Sequence, residues 1–202
     1  MFRHLNGHFP VLPFLFTLLL YLCTPVISLF PDYDVLDTTW TDSGDATYTV
    51  SDEKRALVDL WRSAGGIHWS TTWDLRQDPC VNGWVGIICN QYGSVISIDL
   101  PRNRLSGYLP RSLGVLTSLK KLHLNDNMLT GPLPKSFQHL VNLESINLSQ
   151  NYFTGPMPMS VAGFAKVVLF HIASNDFNEK TMPDEYLKME KRGVDCWIFS
   201  NK

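Results

Sequence analysis

Residues 122–134 read LHLNDNMLTGPLP, and close variants of this phrase lie on either side of it. SIDLPRNRLSGYLP ends at Pro110 and SINLSQNYFTGPMP ends at Pro158, so the closing proline recurs every 24 residues. From Val95 the chain divides into units beginning at Val95, Leu119, Leu143 and Val167, and the fourth loses the pattern after Phe177. Three ladders fix the register: Asn103, Asn127, Asn151 and Asn175; Leu100, Leu124, Leu148 and Ile172; and Leu105, Leu129, Phe153 and Phe177. A fourth row, Gly107, Gly131 and Gly155, has Glu179 at its next step.

Each row has a physical reason. Leu122 and Leu124 alternate with His123, as a short strand requires if one face is buried. The strand of one unit needs that of the next to complete its hydrogen bonds, so successive coils build a parallel sheet along one side of a solenoid. The asparagine after each strand can both donate and accept, which satisfies backbone groups that an inward bend would bury unpaired. Glycine permits the turn that follows, and proline fixes an extended return path. The expected fold class is therefore α/β: a repeat solenoid of about four coils over 95–179, with a parallel sheet along one side.

Before the repeats, SDEKRALVDLWRSAGG predicts a short amphipathic helix. Ser51 is its expected N-cap, Asp52 and Glu53 suit the positive end of its dipole, and Gly65-Gly66 stop it. Leu57, Leu60, Trp61 and Ala64 share one face. In WSTTWDLRQDPCVNGWVGIICN, Asn82-Gly83 signals a turn, and Trp69, Trp73 and Trp84 are bulky enough to plug the end of a core. Cys80 and Cys89 are close enough to bridge in an oxidising compartment, which would stabilise by roughly 2–3 kcal/mol. Two cysteines without suitably spaced histidines argue against a metal site.

Arg3, the apolar run VLPFLFTLLLYLC (11–23) and Val26 and Ser28 at the −3 and −1 positions predict an export signal over 1–28. An uncleaved membrane anchor is the alternative. Residues 29–50 hold five Asp and no Lys or Arg, and are expected to form an acidic leader. The net charge of −2, with cations scattered, gives no nucleic-acid footprint. Cys196 is left as a free thiol or a link to a second chain.

The pattern L-x-x-L-x-L-x-x-N-x-L-x-G-x-[LIM]-P resembles the plant-type extracellular leucine-rich repeats. The segment ALVDLWRSAGGIHWSTTWDLRQDPCVNGWVGIICN resembles the disulfide-stapled N-terminal cap that precedes them, here 51–94. The resemblance implies a curved right-handed solenoid (a short horseshoe segment) with a concave parallel sheet, and no catalytic residues. It points to secreted recognition of a protein or peptide in signalling, defence or enzyme inhibition, the partner being a cell-surface receptor or a foreign hydrolase. Residues 180–202 match no cap of that family. Pro183-Asp184 can start a helix that Gly193 ends, laying Tyr186, Leu187 and Met189 over the last coil.

The outward strand positions define the candidate binding face. One column holds Asp99, His123, Asn147 and His171, with neighbours about 4.8 Å apart. Beside it run Ser97, Lys121, Ser145 and Leu169, and beyond the strands come Asn125 and Asp126. The partner-binding candidates are Asp99, Lys121, His123, Asn125, Asp126, Ser145 and His171, with no metal or cofactor expected. Asp99 beside His123 invites a hydrolase reading, but no nucleophile motif and no second carboxylate accompany them. Asn147 opens the single glycosylation sequon of the chain, NLS, on this same face, so either that site is unused or partners bind near the first two units, the lateral loops or the cap. Val168 and Leu169 put apolar groups outward, and coverage by the tail is the expected explanation. A structural matrix protein linked through Cys196 is the rival to a recognition module.

Overall fold

The structure, a computed structural model, describes residues 50–156, 165–178 and 184–198, all within the unit Thr47–Lys202. The expected signal and leader, Pro158 and Pro183 lie outside the described residues.

Helix α1 (Val50–Ser63) buries Ala56, Leu57, Leu60 and Ala64. Its first residue is Val50, so Ser51 lies inside the first turn and is not the cap. Trp61, predicted for the buried face, is only half-buried, and its indole N–H donates to Thr72 Oγ1 at 2.8 Å. Strand β1 (Ile87–Cys89) pairs antiparallel with β2 (Val95–Asp99). The cap thus contributes an edge strand to the sheet, which the boundary at 94 did not anticipate. The turn that makes this pairing is not Asn82-Gly83 but 90–94, where Asn90 Oδ1 accepts from the Tyr92 and Ser94 N–H groups.

The concave sheet continues in parallel through β4 (Lys121–His123), β6 (Ser145–Asn147) and β8 (Leu169–His171). Ile98, Leu122, Ile146 and Phe170 are in register and fully buried, as alternation demands. A second parallel sheet, absent from the sequence reading, joins β3 (Ser106–Gly107), β5 (Met128–Gly131) and β7 (Tyr152–Phe153). Pro110 and Pro134 hold extended conformations, and each leads into a short 3₁₀ helix, Arg111–Val115 and Lys135–His139.

The asparagine ladder works as the sequence requires. Asn127 Nδ2 donates to the Leu100 and Leu124 carbonyls, both at 2.9 Å, and its Oδ1 accepts from the Asn103 and Leu105 N–H groups, both at 3.0 Å. Asn151 and Asn175 repeat the two donations one and two coils on and accept from the Leu129 and Phe153 N–H groups, while the Asn127 and Asn151 N–H groups go to the Gln150 and Ser174 carbonyls. Asn103, the first rung, instead clasps the cap: it accepts from the Thr71 N–H and donates to the Thr71 carbonyl. The residue before each rung has a left-handed φ: Arg102 at 52°, Asp126 at 58°, Gln150 at 57° and Ser174 at 56°. Non-glycine residues rarely sit there, and each such conformation costs on the order of 1 kcal/mol. The asparagine bonds and the neighbouring coil hold them in place.

Both ends of the core are closed. Trp69, Trp73 and Trp84 are buried in the cap, Trp73 stacked on Trp84 with ring centroids 4.7 Å apart. Cys80 and Cys89 form the expected disulfide, nine residues apart in sequence. Reducing it should lower unfolding stability by about 2.5 kcal/mol, because it closes a short loop. Urea titrations with and without reductant measure this, and coincident curves would show that the cap does not depend on the bridge.

At the other end, helix α2 (Asp184–Lys191) stops before Gly193, which has φ 79°. Tyr186 and Met189 are fully buried, and Tyr186 lies 5.4 Å from the Phe170 ring. Leu187, expected to cover the last coil with them, faces away and is exposed. The tail then adds a strand of its own: β9 (Asp195–Trp197) pairs parallel with β8 and becomes the sixth strand of the concave sheet. Coverage of Val168 by the tail is not what the structure shows, since that side chain remains 64% exposed, while Leu169 is half-buried. Cys196 points to the core side in register with Phe170 and is half-buried. Burial, with Glu190 and Asp195 adding to it, pushes its thiol pKa up. A half-buried thiol with little thiolate is poorly placed to link two chains.

One buried charge joins cap to repeats. The Glu53 carboxylate, only 5% exposed, accepts from the Val95 N–H at 2.7 Å where β2 begins. Burial raises its pKa, against the opposing effect of the bonds from Val95 and Ser94. A carboxyl with a folded pKa above its unfolded one contributes stability fully below the unfolded value, and that contribution is lost as pH rises through the folded value. Glu53→Gln keeps an acceptor for Val95 and is expected to remove this loss. The urea midpoint at about pH 7, taken relative to that at about pH 4, should then be higher in the variant than in the parent. An unchanged difference between the two would show that Glu53 is not the group responsible.

Candidate concave binding face

The register places the predicted residues as two clusters on one face. In the first, Lys121 Nζ lies 2.5 Å from Asp99 Oδ2, and His123 Nδ1 is 4.0 Å from Asp99 Oδ1. His123 Nε2 is 2.6 Å from Ser145 Oγ, one strand on. Burial lowers the His123 pKa, Lys121 adds to this, and Asp99 opposes it. Asn125 donates to Asp126 Oδ2 at 2.6 Å, and Arg102 Nε lies 3.5 Å from the same carboxylate. Asn125 and Asp126 therefore brace the rim of the sheet as well as facing outward.

The second cluster was only partly visible in sequence. His171 sits as predicted in the column of Asp99, His123 and Asn147, but the tail strand brings Asp195 and Trp197 beside it. His171 Nε2 is 3.3 Å from Asp195 Oδ2, off the hydrogen-bonding direction, and its ring meets that of Trp197 edge-on at 5.6 Å. Asp195 thus gives His171 a carboxylate neighbour of its own, apart from the pair of Asp99 and His123. The signal lay in VDCWI (194–198), which alternates inward and outward like the repeat strands. It was hidden because the tail breaks the 24-residue period: Cys196 stands in register with Phe170, 26 residues earlier.

Asn147 stands between the clusters. Its Oδ1 accepts from the Ser149 N–H at 3.2 Å and from the Ser149 hydroxyl at 2.7 Å. A glycan on its amide would project onto the face that the candidate residues share.

Asp99, His123 and Ser145 follow the order of a charge-relay system, but the geometry does not activate the serine. Asp99 is engaged by Lys121 and too far from His123 Nδ1 for a hydrogen bond. The Ser145 N–H is bonded to the Lys120 carbonyl, in common with its ladder neighbours, so it is not free to stabilise an oxyanion. Among the described residues no group of three or more His, Cys, Asp or Glu is arranged to hold a metal ion. What the face offers is shape, hydrogen-bonding groups and a few charges.

Repeat, asparagine ladder, parallel concave sheet and disulfide cap together give the described residues the architecture of a leucine-rich repeat domain, similar to the plant extracellular type. The leucine rich repeat family model matches residues 93–153 and 117–177. A probable leucine-rich repeat receptor-like protein kinase of Arabidopsis thaliana is 32% identical over 110 residues, covering 54% of this chain and 10% of that protein. A probable inactive leucine-rich repeat receptor-like protein kinase of the same plant is 38% identical over 81 residues, 39% of this chain and 12% of the other. The chain thus spans about a tenth of the length of the curated relatives it matches.

Among solved structures, PEPR1–AtPEP1 superposes with a TM-score of 0.59 at 23% identity, over 69% of this chain and 20% of that one. The BIR3–SERK2 complex from Arabidopsis thaliana gives 0.55 at 22%, over 71% and 77%. At these identities the likeness establishes the fold. No helix among the described residues is long and apolar enough to cross a membrane.

Proposed function

We infer that this chain is a secreted, non-enzymatic recognition module whose six-stranded concave face binds a protein or peptide partner. The observation that carries the reading is the division of labour along each coil. The inward residues and the asparagine rungs repeat, whereas the outward residues at the same register positions differ from strand to strand. A scaffold held by the repeating set leaves the other set free to define a surface. PEPR1–AtPEP1 and the BIR3–SERK2 complex, solved structures of the same fold, each bring such a domain together with a partner, which supports a binding role. The export signal predicted over 1–28 and the disulfide suit an oxidising, extracellular setting. Within this reading a cell-surface receptor and a foreign hydrolase remain the two partner classes, and the form of Asn147 compatible with binding is the unmodified one.

Lys121→Glu tests the site. It reverses the charge at the centre of the face, puts a carboxylate against Asp99, and spares the asparagine ladder. Affinity capture from extracellular fluid with the mature domain should recover a partner that the variant loses, with binding weakened at least about tenfold. Equal recovery by both would place the binding surface elsewhere.

A further inference from the structure

The carboxylates on and beside the concave sheet differ in one respect. Asp99 is matched by Lys121 at 2.5 Å, Asp126 by Arg102 at 3.5 Å, and Glu144, just before β6, by Lys120 at 3.0 Å. Among the described residues Asp195 has only His171 as an ion-pair partner, which carries charge only when protonated, and its side chain is 70% exposed against 36% for Asp99 and 18% for Asp126. Two residues along the same strand, on the same face, the Trp197 indole is 50% exposed. Its ring is held edge-on by His171, so its orientation is fixed from one side. Half-buried Leu169 lies on the adjacent strand directly in register with Asp195, and exposed Val168 immediately precedes that strand.

An unneutralised carboxylate about 7 Å along a strand from a braced indole, on partly apolar ground, has the chemistry of a site for a cationic side chain. The geometry points to an arginine or lysine of the partner docking between Asp195 and Trp197 at the C-terminal end of the concave face. Asp195 supplies the counter-charge and Trp197 the π-face, while Val168 and Leu169 cover the aliphatic stem. Arginine fits better than lysine, since its planar guanidinium can stack on the indole while its N–H groups reach the carboxylate. At the opposite end Lys121 already occupies Asp99, so basic selectivity is confined to the tail strand. This rests on the concave-face reading above and specifies one contact within it.

Selection of a displayed random-peptide library on the mature domain tests it, each enriched peptide being re-measured on Asp195→Asn, Trp197→Phe and Lys121→Glu. Asp195→Asn is close to isosteric at an exposed position and leaves the fold unstrained. The proposal expects enrichment of Arg or Lys, binding about tenfold weaker on Asp195→Asn, and a smaller loss on Trp197→Phe. Replacing the peptide's arginine by citrulline, which keeps the shape and removes the charge, should reproduce the Asp195→Asn loss without adding to it in that variant. Peptides lacking basic residues, weakened by Lys121→Glu and indifferent to Asp195→Asn, would overturn the cationic site and leave the concave reading standing. Failure to enrich any peptide sensitive to either variant would overturn both.

Discussion

Asn127→Ala is expected to destabilise the fold by roughly 4 kcal/mol. Of the backbone groups that Asn127 bonds, the Asn125 carbonyl keeps the Arg102 N–H, but the Leu100 carbonyl and the N–H groups of Asn103 and Leu105 lose their bond. The Leu124 carbonyl keeps the Asn151 amide at 2.9 Å. Asn127 is buried, so water has little access to the orphaned groups, each of which costs about 1–3 kcal/mol. Asn175→Ala removes a half-buried rung and should cost about half as much, because solvent can reach it. Asn127→Asp discriminates between shape and bonding. It preserves volume and acceptor but aims a carboxylate oxygen at the Leu100 and Leu124 carbonyls, so it should be no milder than alanine at neutral pH. Equilibrium urea unfolding measures all three. If Asn127→Asp proves near neutral, the ladder acts through packing rather than through donated hydrogen bonds.

Gly107→Ala is expected to be comparably damaging, at about 4 kcal/mol, for a different reason. Gly107 has φ 126°, and a Cβ there would lie 2.0 Å from the Ser63 carbonyl oxygen. That approach exists because the end of α1 is capped by the second sheet: the Ser106 N–H donates to the Ala64 carbonyl and the Tyr108 N–H to Ser63. A methyl group must push the helix away and orphan both carbonyls. Gly83→Ala is the matched control, since Gly83 also has a left-handed φ, 63°, with nothing within 4 Å of the added atom. It should cost only the conformational strain, about 1 kcal/mol. Limited proteolysis adds a spatial readout: Gly107→Ala should open the cap, residues 51–94, to cleavage before the repeats. Equal costs for the two substitutions would mean that the clash is relieved elsewhere.

Much of the fold was legible because repetition gives several observations of each position. Leu122 and Leu124 could be assigned inward from one coil, but four coils in register made the sheet and its asparagine ladder unambiguous. The bends were less visible. Arg102, Asp126, Gln150 and Ser174 share a left-handed backbone yet no side-chain type, so the sequence carries no common mark of it. The second sheet escaped for a related reason: its strands are two to four residues long, too short for any alternation to register. Glu53 looked like a helix-dipole residue; that it reaches across to Val95 depends on how the cap docks.

The candidate face was legible where the period held and obscure where it stopped. The columns through Asp99, His123, Asn147 and His171 and through Lys121 and Ser145 followed from counting in 24s. The Ser145 hydroxyl against His123 depends on a diagonal contact between strands, which counting does not supply. Asp195 and Trp197 join the face only because the tail returns as a strand. The cap likewise adds β1, which places Ile88, exposed and in register with Ser97, at the far edge of the same sheet.

The central claim is that the repeating residues make the scaffold and the non-repeating concave residues make the contacts. It is tested most directly by measuring, for one captured partner, the affinity of two charge reversals: Lys121→Glu on the concave sheet and Lys135→Glu on the exposed 3₁₀ helix of the same coil. Both should unfold at nearly the parent's urea midpoint. Binding should fall at least about tenfold for Lys121→Glu and stay within about twofold for Lys135→Glu. Loss of affinity in Lys135→Glu with Lys121→Glu unaffected would contradict the account.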